Sequence, residues 1–285
     1  MAPLDNRRTA KRSRAAFTLI ELLVTLTIIS MVAGLALSGL AASRQRAKID
    51  KTKSTIRKLN EIVMPQYEGY LSRRVAGSTP ALRLTALRLL MVQEMPDQWA
   101  DVYALSAVPA TATAPPRRYA DYKNALSPTT NYQSAECLGM IITRGGFAAD
   151  ATEFFRTDEM GDIDGDNVPE FWDGWGRPIE FIRWPAGFSS IVQQLSFATN
   201  PDPFDPANAS GGDYGLIPLI YSTGPDGGTY DRATLPSDYA PSRPGGYLAA
   251  PSLLSITGIT PLPGTSTASG SSDADNITNH DLIKK

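Results

Sequence analysis

Residues 17–42 read FTLIELLVTLTIISMVAGLALSGLAA, and this stretch decides the fold of the N-terminal part of the chain. It is apolar over about 26 residues, long enough for a helix to cross the ~30 Å hydrocarbon core of a bilayer. Glu21 interrupts it near its start, and residues 6–16 before it, NRRTAKRSRAA, are basic and end in two alanines. A carboxylate inside hydrocarbon is costly, so Glu21 predicts a partner and a role.

The spacing indicates which partner Glu21 could have. If a protease cut between Ala16 and Phe17, the new α-amino group would lie one helical turn from Glu21. The ammonium could then meet the carboxylate in the same chain or from a neighbouring helix. A helix N-terminus also favours a nearby negative charge.

A basic leader, a small residue and then Phe-Thr-Leu-Ile-Glu-Leu-Leu-Val resembles the processing site of type IV pilins and type II secretion pseudopilins. The resemblance implies that a prepilin peptidase cleaves between Ala16 and Phe17 and methylates the new amine. It also implies that Glu21 aligns subunits within a filament, with other pilin or pseudopilin subunits as partners. The family usually has Gly before the cut, and Ala16 is small enough that we still expect cleavage.

Two other interpretations of this stretch remain open. A secretory signal peptide would be cut after a small residue near Ala41, but its apolar run is shorter than this one and has no acidic residue. A plain signal anchor explains the length and the basic start but not Glu21. The basic leader favours a cytoplasmic N-terminus and an extracytoplasmic body, and a chain that keeps residues 17–42 is anchored once in the inner membrane.

Composition excludes some classes of function. The formal net charge is −2, and no basic face indicates a nucleic-acid partner. Cys137 is the only cysteine, so the chain forms no internal disulfide. With His280 as the only histidine, and that one near the C-terminus, a Cys–His catalytic pair is disfavoured. We expect no catalytic site.

After residue 43 the helical pattern continues, because apolar residues recur at intervals of three, four or seven: Ile49, Ile56, Leu59, Ile62 and Val63. A helix over residues 17–64 would be roughly 70 Å long at 1.5 Å per residue. Further helices are predicted over 81–95 and 134–143, and strands over 179–184 and 216–221. We therefore predict an α+β, pilin-like fold in which a long N-terminal α-helix, membrane-spanning in its first half, packs on a small antiparallel β-sheet domain.

This interpretation divides the chain into four parts. Residues 1–16 are a leader, 17–64 the assembly helix, 65–260 a soluble α+β domain and 261–285 a flexible tail. His280 is expected to be solvated in that tail.

An acidic loop follows at 161–184, GDIDGDNVPEFWDGWGRPIEFIRW. Its spacing fits a Ca²⁺-binding loop that takes ligands at positions 1, 3, 5, 7, 9 and 12. The predicted ligands are Asp162, Asp164, Asp166, Val168 through its carbonyl, Glu170 and Asp173. Asn167 stands where such loops have Gly, and Asn tolerates the left-handed conformation. An acidic surface turn without metal is the alternative.

Two turns resemble those of the major pseudopilins: Asp-Gly-Trp-Gly-Arg-Pro at 173–178 and Gly-Pro-Asp-Gly at 224–227. In those proteins a bound Ca²⁺ orders the C-terminal loops in place of a disulfide. The resemblance makes Asp226 and Asp231 further candidate ligands.

The chain is thus expected to be a prepilin-like structural subunit of a type II secretion pseudopilus or type IV pilus-like filament. The alternative is a membrane-anchored extracytoplasmic binding module or enzyme directed at glycans. Trp172, Trp175 and Trp184 could line such a glycan-binding surface.

Overall fold

The computed structural model describes residues 18–103, 117–126, 128, 132–145, 151–185, 188, 190–194, 196–225 and 276–283. The chain divides into two compact units, Met1–Arg46 and Ala47–Lys285. Helix α1, Leu19–Gly69, begins in the first unit and ends in the second.

In the first unit, the described part of α1 exposes its apolar side chains. Leu19 is 83% exposed, Leu35 75% and Met31 73%. Four hydroxyl side chains in this part bond back to carbonyls one turn earlier, as Ser30 Oγ does to Leu26 O at 2.7 Å. The helix is long and apolar enough to cross a membrane once.

In the second unit, α1 buries one stripe of side chains in the main hydrophobic core. Ile56, Leu59 and Val63 are fully buried there, and Ile49 and Ile62 pack against the same core. The other side of the core comes from the sheet residues Phe171, Phe181, Ile220 and Ile277. This confirms the α+β, pilin-like fold, with the long N-terminal helix packed on a small antiparallel sheet.

Helix α1 continues through Pro65, beyond the end predicted from the sequence. Proline removes one backbone hydrogen bond inside a helix. Tyr67 and Tyr70 are buried in the core beyond it, and the Tyr67 hydroxyl donates to the carbonyl of Leu216. Tertiary contacts of this last turn therefore offset the cost of the proline.

Within the described residues, five shorter helices follow: α2 Pro80–Glu94, α3 Trp99–Tyr103, α4 Arg117–Leu126, α5 Gln133–Arg144 and α6 Asn279–Leu282. Helix α2 starts with Thr79 as N-cap, whose hydroxyl accepts from the Leu82 N–H, and with Pro80 in the first turn. Short 3₁₀ turns occupy Tyr70–Ser72 and Ala151–Phe154. The predictions of α2 and α5 from periodicity are confirmed.

The described strands form two antiparallel sheets. The first pairs β1, Met160–Gly161, with β2, Glu170–Phe171. The second has the order β3–β4–β5, with β3 Glu180–Ile182, β4 Leu219–Ser222 and β5 Ile277–Thr278. The strands predicted near 179–184 and 216–221 are confirmed.

At the C-terminus the structure differs from the predicted flexible tail. Residues 276–283 are folded into the second unit, and β5 pairs with β4. Asn279 is fully buried and bonds to three groups: its amide donates to Asn60 Oδ1 and Pro218 O, and its oxygen accepts from Ile220 N. Residues 261–275 lie outside the described part. Because a chain with one cysteine forms no internal disulfide, residues 276–283 are held instead by the pairing of β5 with β4 and by the hydrogen bonds of Asn279.

Two buried arginines join separate segments of the second unit. Arg88 on α2 pairs with Asp202 at 2.6 Å and with Asp213 at 3.0 Å, both in the loop over residues 200–213, which is rich in Pro and Asp. Arg183, after β3, pairs with Asp101 at 3.0 Å. Such pairs are costly to break because the remaining partner stays buried and charged.

Candidate functional site

The processing site predicted at Ala16 and Phe17 lies outside the described residues. Glu21, the predicted assembly residue, lies in the first turn of α1 and is exposed. Its Oε2 accepts from the Thr18 N–H at 3.0 Å and from the Thr18 hydroxyl at 2.9 Å, while the Glu21 N–H donates to Thr18 Oγ1 at 3.3 Å. Thr18 and Glu21 thus form a reciprocal capping box.

The capping role of Thr18 is absent from the sequence prediction. The signal was available, because Thr followed three residues later by Glu before an apolar run is the pattern of such a box. The box holds the Glu21 carboxylate at the N-terminal end of the helix, where the helix dipole favours negative charge.

The acidic loop brings three of the six predicted ligands together with one residue from elsewhere. Asp164, Asp166 and Glu170 of the loop each offer a carboxylate oxygen, and Glu136 of α5 offers a fourth. These four atoms all lie within 4.8 Å of one another. The arrangement could hold one metal ion.

The other three predicted ligands have different surroundings. Asp162 accepts from the Gly165 N–H at 2.7 Å and from the Asn167 N–H at 2.9 Å, and so closes the loop. The side chain of Val168 is buried beside Cys137 in a second small core. Asn167 has a φ of 70°, the left-handed conformation that its position requires.

Asp173 organises the turn after the loop. Its Oδ1 accepts from the Trp175 N–H at 2.7 Å and the Arg177 N–H at 3.0 Å, and its Oδ2 accepts from the Ser222 hydroxyl at 2.7 Å. It is 2% exposed. Asp173 thereby connects the Trp-Gly-Arg-Pro turn to the end of β4.

Glu136 and Glu170 are fully buried. Burial raises the pKa of Glu136 to about 8, although a hydrogen bond from the Trp99 indole opposes the shift. Burial also raises the pKa of Glu170 to about 7, against a hydrogen bond from the Ile163 N–H. In both cases the neighbouring carboxylates contribute to the rise. Ionisation of these two side chains is therefore disfavoured unless a cation lies nearby.

Gly139 explains why α5 comes close enough to the loop to contribute Glu136. A Cβ at this position would lie 2.2 Å from the carbonyl oxygen of Pro169, a distance that real Cβ atoms do not show. Only glycine allows this approach, and Glu136 lies one turn earlier on the same helix. Because Glu136 lies on α5 and not in the acidic loop, the spacing of acidic residues in the loop does not predict it.

Cys137 and His280, the only cysteine and the only histidine of the sequence, are both buried. Cys137 is fully buried, and burial raises the pKa of its thiol well above the usual value. His280 is 1% exposed rather than solvated, with Nδ1 beside Ser190 Oγ at 2.8 Å and Nε2 beside Pro218 O at 3.2 Å. Burial lowers the pKa of His280 to about 4. The ring bonds to these groups and not to Cys137.

The three tryptophans proposed for a glycan surface also pack inward. Trp184 is 9% exposed and stacks on Arg183, whose guanidinium carbon is 4.6 Å from the ring centroid. Trp172 is partly buried with its ring over Gly161, and Trp175 packs against the main core. Asp226 and Asp231 lie outside the described residues.

The comparisons with known proteins bear on the N-terminal site. The family described as the prokaryotic N-terminal methylation motif matches residues 11–37, which include Ala16, Phe17 and Glu21. No curated protein and no solved structure matches the chain. The match supports a membrane-anchored, single-pass, pilin-like subunit that is a substrate of prepilin peptidase, and families with this motif are structural rather than catalytic. The motif at residues 11–37 supports the type IV pilin and pseudopilin family, and the long N-terminal helix packed on a small antiparallel sheet is pilin-like.

Proposed function

We propose that the mature chain, beginning at Phe17, is a structural subunit of a type II secretion pseudopilus or a type IV pilus-like filament. The precursor is inserted with its N-terminus in the cytoplasm and its soluble domain outside the inner membrane. Prepilin peptidase removes residues 1–16 and methylates the amine of Phe17. The observation that carries this proposal is the methylation motif at residues 11–37, with Glu21 as the single acidic residue of the apolar stretch 17–42.

The exposed helix supports assembly with other subunits. Its large apolar side chains between Leu19 and Leu40 have low burial within the monomer. After extraction from lipid, the same surface could be buried by identical helices in a bundle. Packing against neighbours is the general way in which an amphipathic or apolar helix gains stability.

Glu21 would then set the register of the helices. Leaving a carboxylate unpaired in an apolar bundle is strongly unfavourable, so a subunit is held where a Phe17 amine meets Glu21. The capping box with Thr18 keeps this carboxylate near the helix N-terminus, close to where the new amine forms. The subunit therefore needs both cleavage and Glu21 for incorporation.

Cleavage is tested by intact mass and N-terminal sequencing of the membrane-extracted protein, expressed with and without prepilin peptidase. We expect a chain that starts at Phe17 with one added methyl group, only when the peptidase is present. A chain that keeps residues 1–16, or one cut near Ala41, would refute the proposal.

Assembly is tested with two variants at Glu21 and a control on the same helix. Glu21→Ala and Glu21→Gln should be processed but fail to enter sheared filaments. Glu21→Gln retains an acceptor for the Thr18 N–H, so it separates charge pairing from capping. Ser30→Ala, which removes a hydroxyl bonded only back to Leu26 O, should assemble normally. Normal incorporation of Glu21→Gln would show that charge pairing does not set the register.

A further inference from the structure

We infer that the second unit contains a Ca²⁺ site formed by Glu136, Asp164, Asp166 and Glu170. This ligand set differs from the one that loop numbering predicts, because α5 contributes Glu136 while Asp162 and Asp173 are engaged elsewhere. The inference does not depend on filament assembly. It concerns a site in the folded domain alone.

The first argument is the state of two buried side chains. Glu136 and Glu170 are each 0% exposed, and in the described part of the chain Oε1 of each has no hydrogen-bond partner. The second oxygen of Glu136 accepts from the Trp99 indole, and that of Glu170 accepts from the Ile163 N–H. Buried polar atoms are nearly always satisfied in folded proteins, so two orphaned carboxylate oxygens in one cluster indicate a missing ligand. A cation bound between the two carboxylates would supply the partner that both Oε1 atoms lack among the described residues.

The second argument is size. Oxygens bound to one Ca²⁺ lie about 2.3–2.6 Å from the ion, so any two of them are at most about 5.2 Å apart. The four carboxylate oxygens lie within 4.8 Å of one another, inside that limit. The cluster therefore needs little rearrangement to bind.

The chemistry of the ligands favours Ca²⁺ over Mg²⁺ or zinc. Carboxylate oxygens are hard ligands that suit Ca²⁺, Mg²⁺ and Mn²⁺, whereas zinc sites mostly use Cys and His. Mg²⁺ requires near-ideal octahedral geometry and keeps several waters, so it rarely binds four protein carboxylates. Ca²⁺ tolerates an irregular set drawn from a helix and a loop. The sequence-predicted ion is retained, with a changed set of ligands.

Binding would join two elements that are distant in the sequence. Glu136 belongs to α5, Asp164 and Asp166 belong to the loop between β1 and β2, and Glu170 is the first residue of β2. A bound ion would fix this loop against the helix and remove the repulsion between four carboxylates. Because the ion binds only the folded arrangement, it should raise the stability of the whole second unit.

The test uses the purified full chain in detergent micelles, in a background carrying Asp226→Asn and Asp231→Asn, so that those candidate ligands make no contribution. Isothermal titration with Ca²⁺ should give one site. The melting temperature in the presence of Ca²⁺ should be higher than the melting temperature in chelator. Glu136→Gln and Glu170→Gln should each weaken Ca²⁺ binding by about tenfold or more, since affinity follows the number of charged ligands. Glu153→Gln, a change at an exposed glutamate, is the matched control and should leave affinity unchanged.

A merely structural role for Glu136 predicts a different pattern. If Glu136 serves only to accept from Trp99, Glu136→Gln keeps that bond and leaves the response to Ca²⁺ intact. If it is a ligand, Glu136→Gln melts in chelator at or above the melting temperature of the parent chain, because repulsion is relieved. At the same Ca²⁺ concentration its melting temperature then rises less than that of the parent chain. Absence of binding heat and of any melting shift in the parent chain would overturn the inference, as would unchanged affinity in both variants.

A direct probe decides the case if both variants fail to fold. Tb³⁺ is a luminescent substitute for Ca²⁺, and the Trp99 indole bonds to Glu136. Excitation of indole in the parent chain should therefore produce Tb³⁺ emission that added Ca²⁺ suppresses. Absence of that emission would count against the site.

Discussion

Replacing Gly139 by Ala provides the sharpest test of how α5 meets the acidic loop. The added Cβ would lie 2.2 Å from Pro169 O, so the loop must retreat by about 1 Å to reach ordinary contact. Overpacking of this kind costs about 1–3 kcal/mol, and the better helix propensity of Ala returns up to about 1 kcal/mol. We expect a net loss of up to ~2 kcal/mol in the free energy of unfolding.

The same displacement should damage ion binding more than stability. Metal sites tolerate ligand distances within about ±0.2 Å, so a shift of about 1 Å between Glu136 and the loop should nearly abolish the Ca²⁺ response. Gly69→Ala is the matched control, because Gly69 is helical and has nothing within 4 Å of its Cβ position. That variant should be neutral or stabilising by up to about 1 kcal/mol.

Unfolding of both glycine variants can be followed by tryptophan fluorescence, since the four tryptophans lie in the second unit. Denaturant titrations in chelator and in Ca²⁺ separate stability from ion binding. If Gly139→Ala matched Gly69→Ala in stability and kept the full Ca²⁺ response, the close approach of α5 to the loop would be refuted.

Three further changes test the packing of the second unit. Arg88→Met should destabilise by about 3–5 kcal/mol because the buried Asp202 and the partly buried Asp213 lose their cation, whereas Arg73→Met, at an exposed pair, should cost less than about 1 kcal/mol in denaturant titrations. Tyr67→Phe should cost about 1–3 kcal/mol, because the carbonyl of Leu216 loses its donor. His280 has a pKa lowered from 6.5 to about 4, so between these values the unfolded chain binds a proton that the folded chain excludes. Stability due to this group is complete above pH 6.5 and falls by about 3 kcal/mol as the pH drops to about 4. The pH dependence of unfolding should therefore be shallower in His280→Gln, and an unchanged slope would refute the buried neutral ring.

Elements built on local periodicity could be predicted from the sequence. The stripe of Ile56, Leu59 and Val63 recurs at helical spacing, and burial of all three confirms it. Strands β3 and β4 were predicted from short apolar runs, because each is buried along its whole length. Local patterns suffice wherever one element buries a single regular face.

Contacts that close the fold over long sequence distances could not be predicted in the same way. Arg88 looks like an ordinary charged residue of α2, yet it is buried against aspartates more than a hundred positions later. The last strand lies in a polar segment that lacks an apolar run of its own. Its pairing with β4 and the bonds of Asn279 supply the stability that composition does not indicate.

In the acidic loop, local spacing predicts the conformation of the turn, whereas contacts with a distant helix decide which side chains come together. Regular spacing of Asp and Asn determines how the loop turns, as the bonds of Asp162 to two N–H groups and the left-handed Asn167 demonstrate. Which carboxylates converge depends instead on what the facing helix presents, and Gly139 admits α5 closely enough to bring Glu136 into the cluster. Asp173 lies at the twelfth position of the loop pattern but serves the next turn, since both of its oxygens already accept hydrogen bonds. A local sequence pattern can therefore identify the acidic loop while one of the converging carboxylates comes from another element, and a search for such clusters should include glycines on the facing helix.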